Sequence, residues 1–142
     1  MYVYSGIKNV LQPWTPAVAS LRAEAEKACC DARFNSVFLN RYRTGLDSMG
    51  WHADKERELG PKPVSTSISL GATRTFEFRH AKTHATHALA LTHGSLLVMR
   101  GRTQLEWIHR APAPSRRCRS ALVTASAENT CGRRRSSRRN RA

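Results

Sequence analysis

The chain has 142 residues, enough for one domain with a sizeable core, and a formal net charge of +14. No apolar run approaches the ~20 residues needed to cross a bilayer. Cys29, Cys30, Cys118 and Cys131 have neither zinc-site nor disulfide-framework spacing. A soluble intracellular protein in reducing surroundings is therefore expected, cytoplasmic in a bacterium or nuclear in a eukaryote, with no membrane partner. From Arg110 onward there are ten Arg and one Glu, which separates a mildly basic domain at residues 1–112 from a cationic tail at 113–142. Such basicity suits a polyanionic partner such as nucleic acid without identifying one.

The opening Met1-Tyr2-Val3-Tyr4-Ser5-Gly6 alternates like a strand but has nothing before it to pair with, so the natural domain is expected to begin further upstream. Thr15-Pro16 is a helix start, a capping hydroxyl followed by a residue that needs no donor there. Val18, Leu21, Ala25 and Ala28 then share one face, predicting a helix from Pro16 to about Ala32. Phe34 to Tyr42 has strand composition, Thr44-Gly45 is a turn, and Lys55 to Pro63 is a charged, Pro- and Gly-containing loop. Val64–Leu70, Thr75–Arg79, Ala88–Leu91, Ser95–Met99 and Gln104–His109 are predicted strands, with His80 to His87 a polar hairpin loop. A helix followed by many short strands predicts a mainly β, double-sheet architecture with a flanking helix. Residues 113–142 are Arg, Ser and Ala without periodicity, and read as disordered.

The chemistry is concentrated in Trp51-His52-Ala53-Asp54 and in His109. In extended chain, residues i and i+2 point to one face, so His52 and Asp54 converge. One remote His completes two imidazoles and a carboxylate with open positions, the set used by non-haem Fe(II) oxygenases. His-x-Asp arises often by chance, and a solvated loop pair is the plain alternative. His80, His84, His87 and His93 are irregularly spaced and read as loop residues. Trp51 and Trp107 read as packing around the site.

Seven phrases occur in order: Tyr2-Val3-Tyr4-Ser5-Gly6, Phe34-Asn35-Ser36, Asn40-Arg41-Tyr42, Trp51-His52-Ala53-Asp54, Ser67 to Arg74, His93 to Met99, and Trp107-Ile108-His109-Arg110. Together they resemble the AlkB family of Fe(II)/2-oxoglutarate dioxygenases, nearest the subgroup acting on alkylated DNA, over residues 2 to 112. The resemblance implies a double-stranded β-helix (jelly roll). It also implies oxidative dealkylation of nucleobases with Fe(II), 2-oxoglutarate and O2, yielding succinate, CO2 and formaldehyde. His52, Asp54 and His109 would hold the iron, and Asn40 and Tyr42 would bond 2-oxoglutarate. Tyr2 and Tyr4 would meet the damaged nucleotide, Tyr4 stacking on the flipped base with His52 opposite. The implied partner is alkylated DNA or RNA, bound by a monomer.

Three departures stand out. The family has an Arg-x5-Arg pair about a dozen residues after its distal His; here Arg119 is the best placed, and Ala125 stands where the second Arg belongs. The abrupt change after Pro112 resembles a shifted reading frame and would delete a core strand, leaving the jelly roll incomplete. Lys55 also stands where relatives have an acid. The alternative function is therefore a catalytically impaired remnant that binds nucleic acid nonspecifically through its basic tail.

Overall fold

The structure, a computed structural model, describes residues 2–4, 7–10, 12–30, 32–54, 62–114 and 121–128; at 2–4, 7–9 and 121–128 the description is of the backbone. β1 (Tyr2–Tyr4) and β2 (Ile7–Asn9) form an antiparallel hairpin with Tyr4 opposite Ile7. The opening alternation is thus satisfied by the residues that follow it. α1 (Pro16–Cys29) starts where expected: Thr15 is extended, its hydroxyl accepts the Val18 N–H at 3.4 Å, and Pro16 takes the first helical position. The helix stops at Cys29 because Cys30 takes a φ of +53°, which breaks the right-handed run.

Eight strands follow: β3 (Ser36–Tyr42), β4 (Met49–His52), β5 (Ser65–Gly71), β6 (Arg74–His80), β7 (Thr86–Leu91), β8 (Leu96–Met99), β9 (Trp107–Ala111) and β10 (Ala121–Glu128). They build two antiparallel four-stranded sheets, in the orders β3-β10-β5-β8 and β4-β9-β6-β7. The chain passes back and forth between the sheets, which is the expected jelly roll. The strand predicted over Gln104–His109 divides at Glu106. Carbonyls of Arg100 and Arg102 take the N–H groups of Thr103, Leu105 and Glu106, so Thr103–Glu106 is a helical turn, α2, and β9 begins only at Trp107.

The expectation of a disordered tail over 113–142 is corrected at β10, and so is the expectation of a missing core strand. β10 lies between β3 and β5, with Ala121 opposite both Tyr42 and Gly71 and Glu128 opposite both Ser36 and Ser65. A strand paired on both sides satisfies its backbone through its neighbours, so its place in the sheet is set less by its own hydrophobicity than by two partners. That is why composition concealed it.

The period of two sorts residues into two cores. On the outer face of the β3-β10-β5-β8 sheet, α1 brings Ala25 and Cys29 onto Ile68, with Ala32, Phe34, Leu21, Val64, Leu70, Leu96 and Val98 around them. Between the sheets lie Tyr42, Phe76, Leu91 and Ala111, with Met49, Ala72, Phe78 and Leu97 against them. Leu97 faces inward while its neighbours Leu96 and Val98 face the helix. On β5, Ser65 and Ser67 are out of step with the helix-facing Ile68 and Leu70, and small hydroxyls line the interior there.

Candidate metal centre

Strand pairing places the centre. His52 on β4 is opposite His109 on β9, and Met49 is opposite Ala111. Three steps on β4 thus match two on β9, which is a β-bulge. Met49 and His52 are an odd number of residues apart, so strict alternation would send them to opposite faces. The bulge re-aims His52, and both side chains face the interior. The two imidazole centroids are 4.3 Å apart at 67°. Asp54 follows two residues after His52, and one ligand atom from each of His52, Asp54 and His109 lies within 4.8 Å of the others.

The hydrogen bonds decide what the trio can hold. His52 Nδ1 is 2.9 Å from the Gly50 carbonyl. A carbonyl only accepts, so in the neutral ring Nδ1 carries the proton and Nε2 presents the lone pair a metal would take. That Nε2 is 3.8 Å from Asp54 Oδ1, and His109 Nε2 is 3.8 Å from Asp54 Oδ2. Burial, assisted by His52, holds the His109 pKa down to about 3, so this imidazole is neutral at neutral pH. Phe76 stacks on it with centroids 5.3 Å apart, and Phe78 meets it edge-on. Burial pushes the Asp54 carboxyl up from its ordinary range, while His52 and the Gln104 amide pull it back. Lone pairs and carboxylate oxygens thus face one another beyond hydrogen-bond length. A first-row cation about 2 Å from each donor would draw them to roughly 3 Å from one another, so the three side chains close inward on binding. The donor set fits Fe(II).

Binding requires neutral imidazoles and an ionised carboxylate, which sets a pH dependence. His109 is already neutral from about pH 3 upward, whereas Asp54 must release a proton that burial holds above the usual carboxylate range. Affinity for Mn(II) is therefore expected to be tighter at about pH 7 than at about pH 5, with protons passed to the buffer on binding. Calorimetry in two buffers of different ionisation enthalpy measures both.

Sequence reasoning missed Gln104. It is 2% exposed, yet its neighbour Leu105 is 44% exposed, an inversion of their polarity that hydropathy patterning cannot reveal. Its Oε1 accepts the Asp54 N–H at 3.0 Å, and its Nε2 donates to Asp54 Oδ2 and Ser65 Oγ, each at 2.9 Å. This amide fixes the carboxylate at both its backbone and its side chain. Gln104→Leu leaves those groups unpaired and is expected to weaken metal binding by about 10–100-fold, read by the same calorimetric titration.

Asn40 and Tyr42 lie on β3, where the intervening Arg41 and the preceding Leu39 are exposed. The two therefore share the interior side, with Tyr42 buried in the inner core. Burial pushes the Tyr42 phenol up, against the pull of Arg74, so it remains an O–H donor. Tyr2 and Tyr4 are in the β1–β2 hairpin, whose side chains are not described, and Arg119 lies outside the described residues. Among the described residues no second metal-binding trio occurs. His80 Nδ1 accepts from Lys82 and Thr83 in the β6–β7 turn, and His93 Nδ1 accepts from Gly71. Trp107 packs between His80 and His87, while Trp51 is covered by the guanidinium groups of Arg79 and Arg110. No helix among the described residues is long and apolar enough to cross a membrane.

A family profile described as the 2OG-Fe(II) oxygenase superfamily matches residues 1–139. Alpha-ketoglutarate-dependent dioxygenase alkB homolog 3 of Mus musculus is 40% identical over 121 residues, covering 78% of this chain and 42% of that protein. DNA oxidative demethylase ALKBH2 of Mus musculus is 38% identical over 125 residues, covering 81% of this chain and 51% of its own. The ALKBH2 of Arabidopsis thaliana is 35% identical over 135 residues, with 78% and 43% covered. The chain spans about half or less of the length of these curated relatives.

Proposed function

This chain belongs to the 2OG-Fe(II) oxygenase superfamily and, within it, to the AlkB family, and from that we propose that it removes alkyl groups oxidatively from nucleobase nitrogens in DNA. The observation that carries the reading is the convergence of His52, Asp54 and His109 inside the jelly roll. These three residues hold Fe(II), which with 2-oxoglutarate and O2 supplies the oxidising chemistry. The rest is done by the protein. The Gly50 carbonyl fixes the tautomer of His52, Gln104 orients Asp54, and Phe76 and Phe78 keep water from His109. Asn40 and the protonated Tyr42 offer hydrogen bonds from the interior side of β3 to 2-oxoglutarate.

The ALKBH2 relatives are named DNA oxidative demethylase, which supports DNA as the substrate. We take alkylated DNA as the substrate, RNA as a second nucleic acid to be tried, and a monomer inside the cell as the working form. Tyr2 and Tyr4 are the proposed contacts to the flipped base. The test supplies Fe(II), 2-oxoglutarate and ascorbate to the full chain with single-stranded DNA carrying N-methylated bases. Succinate is expected to form with methylated DNA and to be absent with His52→Ala. Equal succinate from the two proteins contradicts the reading.

A further inference from the structure

Away from the metal centre, one cation among the described residues is buried with no ion-pair partner among them. Arg74 opens β6, is 8% exposed, and is the one Lys or Arg buried among the described residues. Along β6, Phe76 and Phe78 belong to the inner core, whereas Glu77 bonds Arg110 and Arg79 covers Trp51 on the other face. Arg74 has the inward parity. Its guanidinium lies 4.5 Å over the Tyr42 ring, and its Nη2 donates to the carbonyls of Asp47 at 2.7 Å and Pro112 at 3.0 Å. Nε and Nη1 are buried and have no hydrogen-bond partner, and no ion pair among the described residues includes this side chain.

A desolvated guanidinium with donors left over is unfavourable until an anion joins it. Its position suits one anion in particular. Phe78 is opposite His109, and Arg74 is four residues further along the same interior row, about 13 Å at the rise of a strand. An arginine side chain and a five-carbon diacid, end to end, cover that span. β10, next to Tyr42, has no Lys or Arg between Ala121 and Glu128, and Ala125 pairs with Leu39 and Ile68. The strand that adjoins Tyr42 therefore offers no cation.

We infer that Arg74 anchors the distal carboxylate of 2-oxoglutarate in this chain, with its guanidinium braced on the Tyr42 ring and by the Asp47 and Pro112 carbonyls. The inference rests on the dioxygenase reading above. The carboxylate would take charge-assisted hydrogen bonds from donors that have no other partner.

The test is calorimetry on the full chain, kept free of oxygen and loaded with Mn(II), using 2-oxoglutarate and 2-oxobutyrate, which lacks the distal carboxylate. The unaltered chain is expected to prefer 2-oxoglutarate by at least about tenfold. Arg74→Gln is expected to lose that preference while binding Mn(II) as before, and Arg74→Lys to recover part of it. Equal preference in Arg74→Gln and the unaltered chain overturns the inference, as does a metal-loaded chain with no preference. A chain that takes no Mn(II) overturns the dioxygenase reading itself. Should Arg74→Gln fail to fold, the Nε–H resonance of Arg74 in the unaltered chain decides. It is expected to move with 2-oxoglutarate and not with 2-oxobutyrate, and an unmoved resonance overturns the assignment.

Discussion

An Asp54→Asn chain is expected to bind Mn(II) or Fe(II) roughly a hundred- to a thousandfold more weakly and yet to melt no lower than the unaltered metal-free chain. Both signs follow from one arrangement. The carboxylate is 8% exposed, and burial raises its pKa, so the empty fold carries an ionised group that it disfavours. Asparagine keeps the shape and leaves an oxygen to accept the Gln104 amide, which donates at 2.9 Å. Its amide can donate to an imidazole lone pair, where the carboxylate could only oppose one. Relief of the buried charge is worth about 1 kcal/mol, a rise of a few degrees in melting temperature. Thermal melts with and without EDTA, beside a metal titration, read both effects. Retained metal affinity contradicts the metal assignment, and a marked fall in metal-free stability would make Asp54 a structural acceptor instead.

The second large effect concerns the end of the chain. Ending the protein after Pro114 removes β10, the strand that joins β3 to β5 from Ala121 to Glu128. On the order of ten backbone hydrogen bonds, each worth about 1 kcal/mol net, are then lost from the middle of a sheet. That is comparable with the whole stability of a small domain, about 5–15 kcal/mol. The shortened chain is expected to lose its cooperative melt and to bind a hydrophobic dye, whereas a chain ending after Glu128 is expected to melt cooperatively. A chain ending at Pro114 that melts like the full protein would restore the reading of 113–142 as a tail outside the fold.

These two cases mark how far the sequence could be read. His52 and Asp54 were legible because their chemistry is local, a two-residue spacing on extended chain. Joining His109 to them required the resemblance, since no local pattern states that β4 and β9 are neighbours. The start of α1 was legible because capping is local too: Thr15 and Pro16 act within one turn. β10 was not legible, because its place is decided by two strands far away in sequence. Gln104 was hidden by a helical turn that buries the polar residue and exposes Leu105. The bulge in β4 leaves no mark in Met49-Gly50-Trp51-His52 and becomes visible only against Ala111 and His109. Arg74, in the stretch Ser67 to Arg74, shows no role in the sequence, because the lack of a buried partner is a property of the fold and not of the residue.

The central claim is that His52, Asp54 and His109 share one divalent ion. Anomalous diffraction from crystals of the full chain grown with Mn(II) tests it most directly. A single strong peak between the Nε2 atoms of His52 and His109 and the Asp54 carboxylate is expected. An empty position there, or a peak instead at the histidines of the β6–β7 turn, would contradict it.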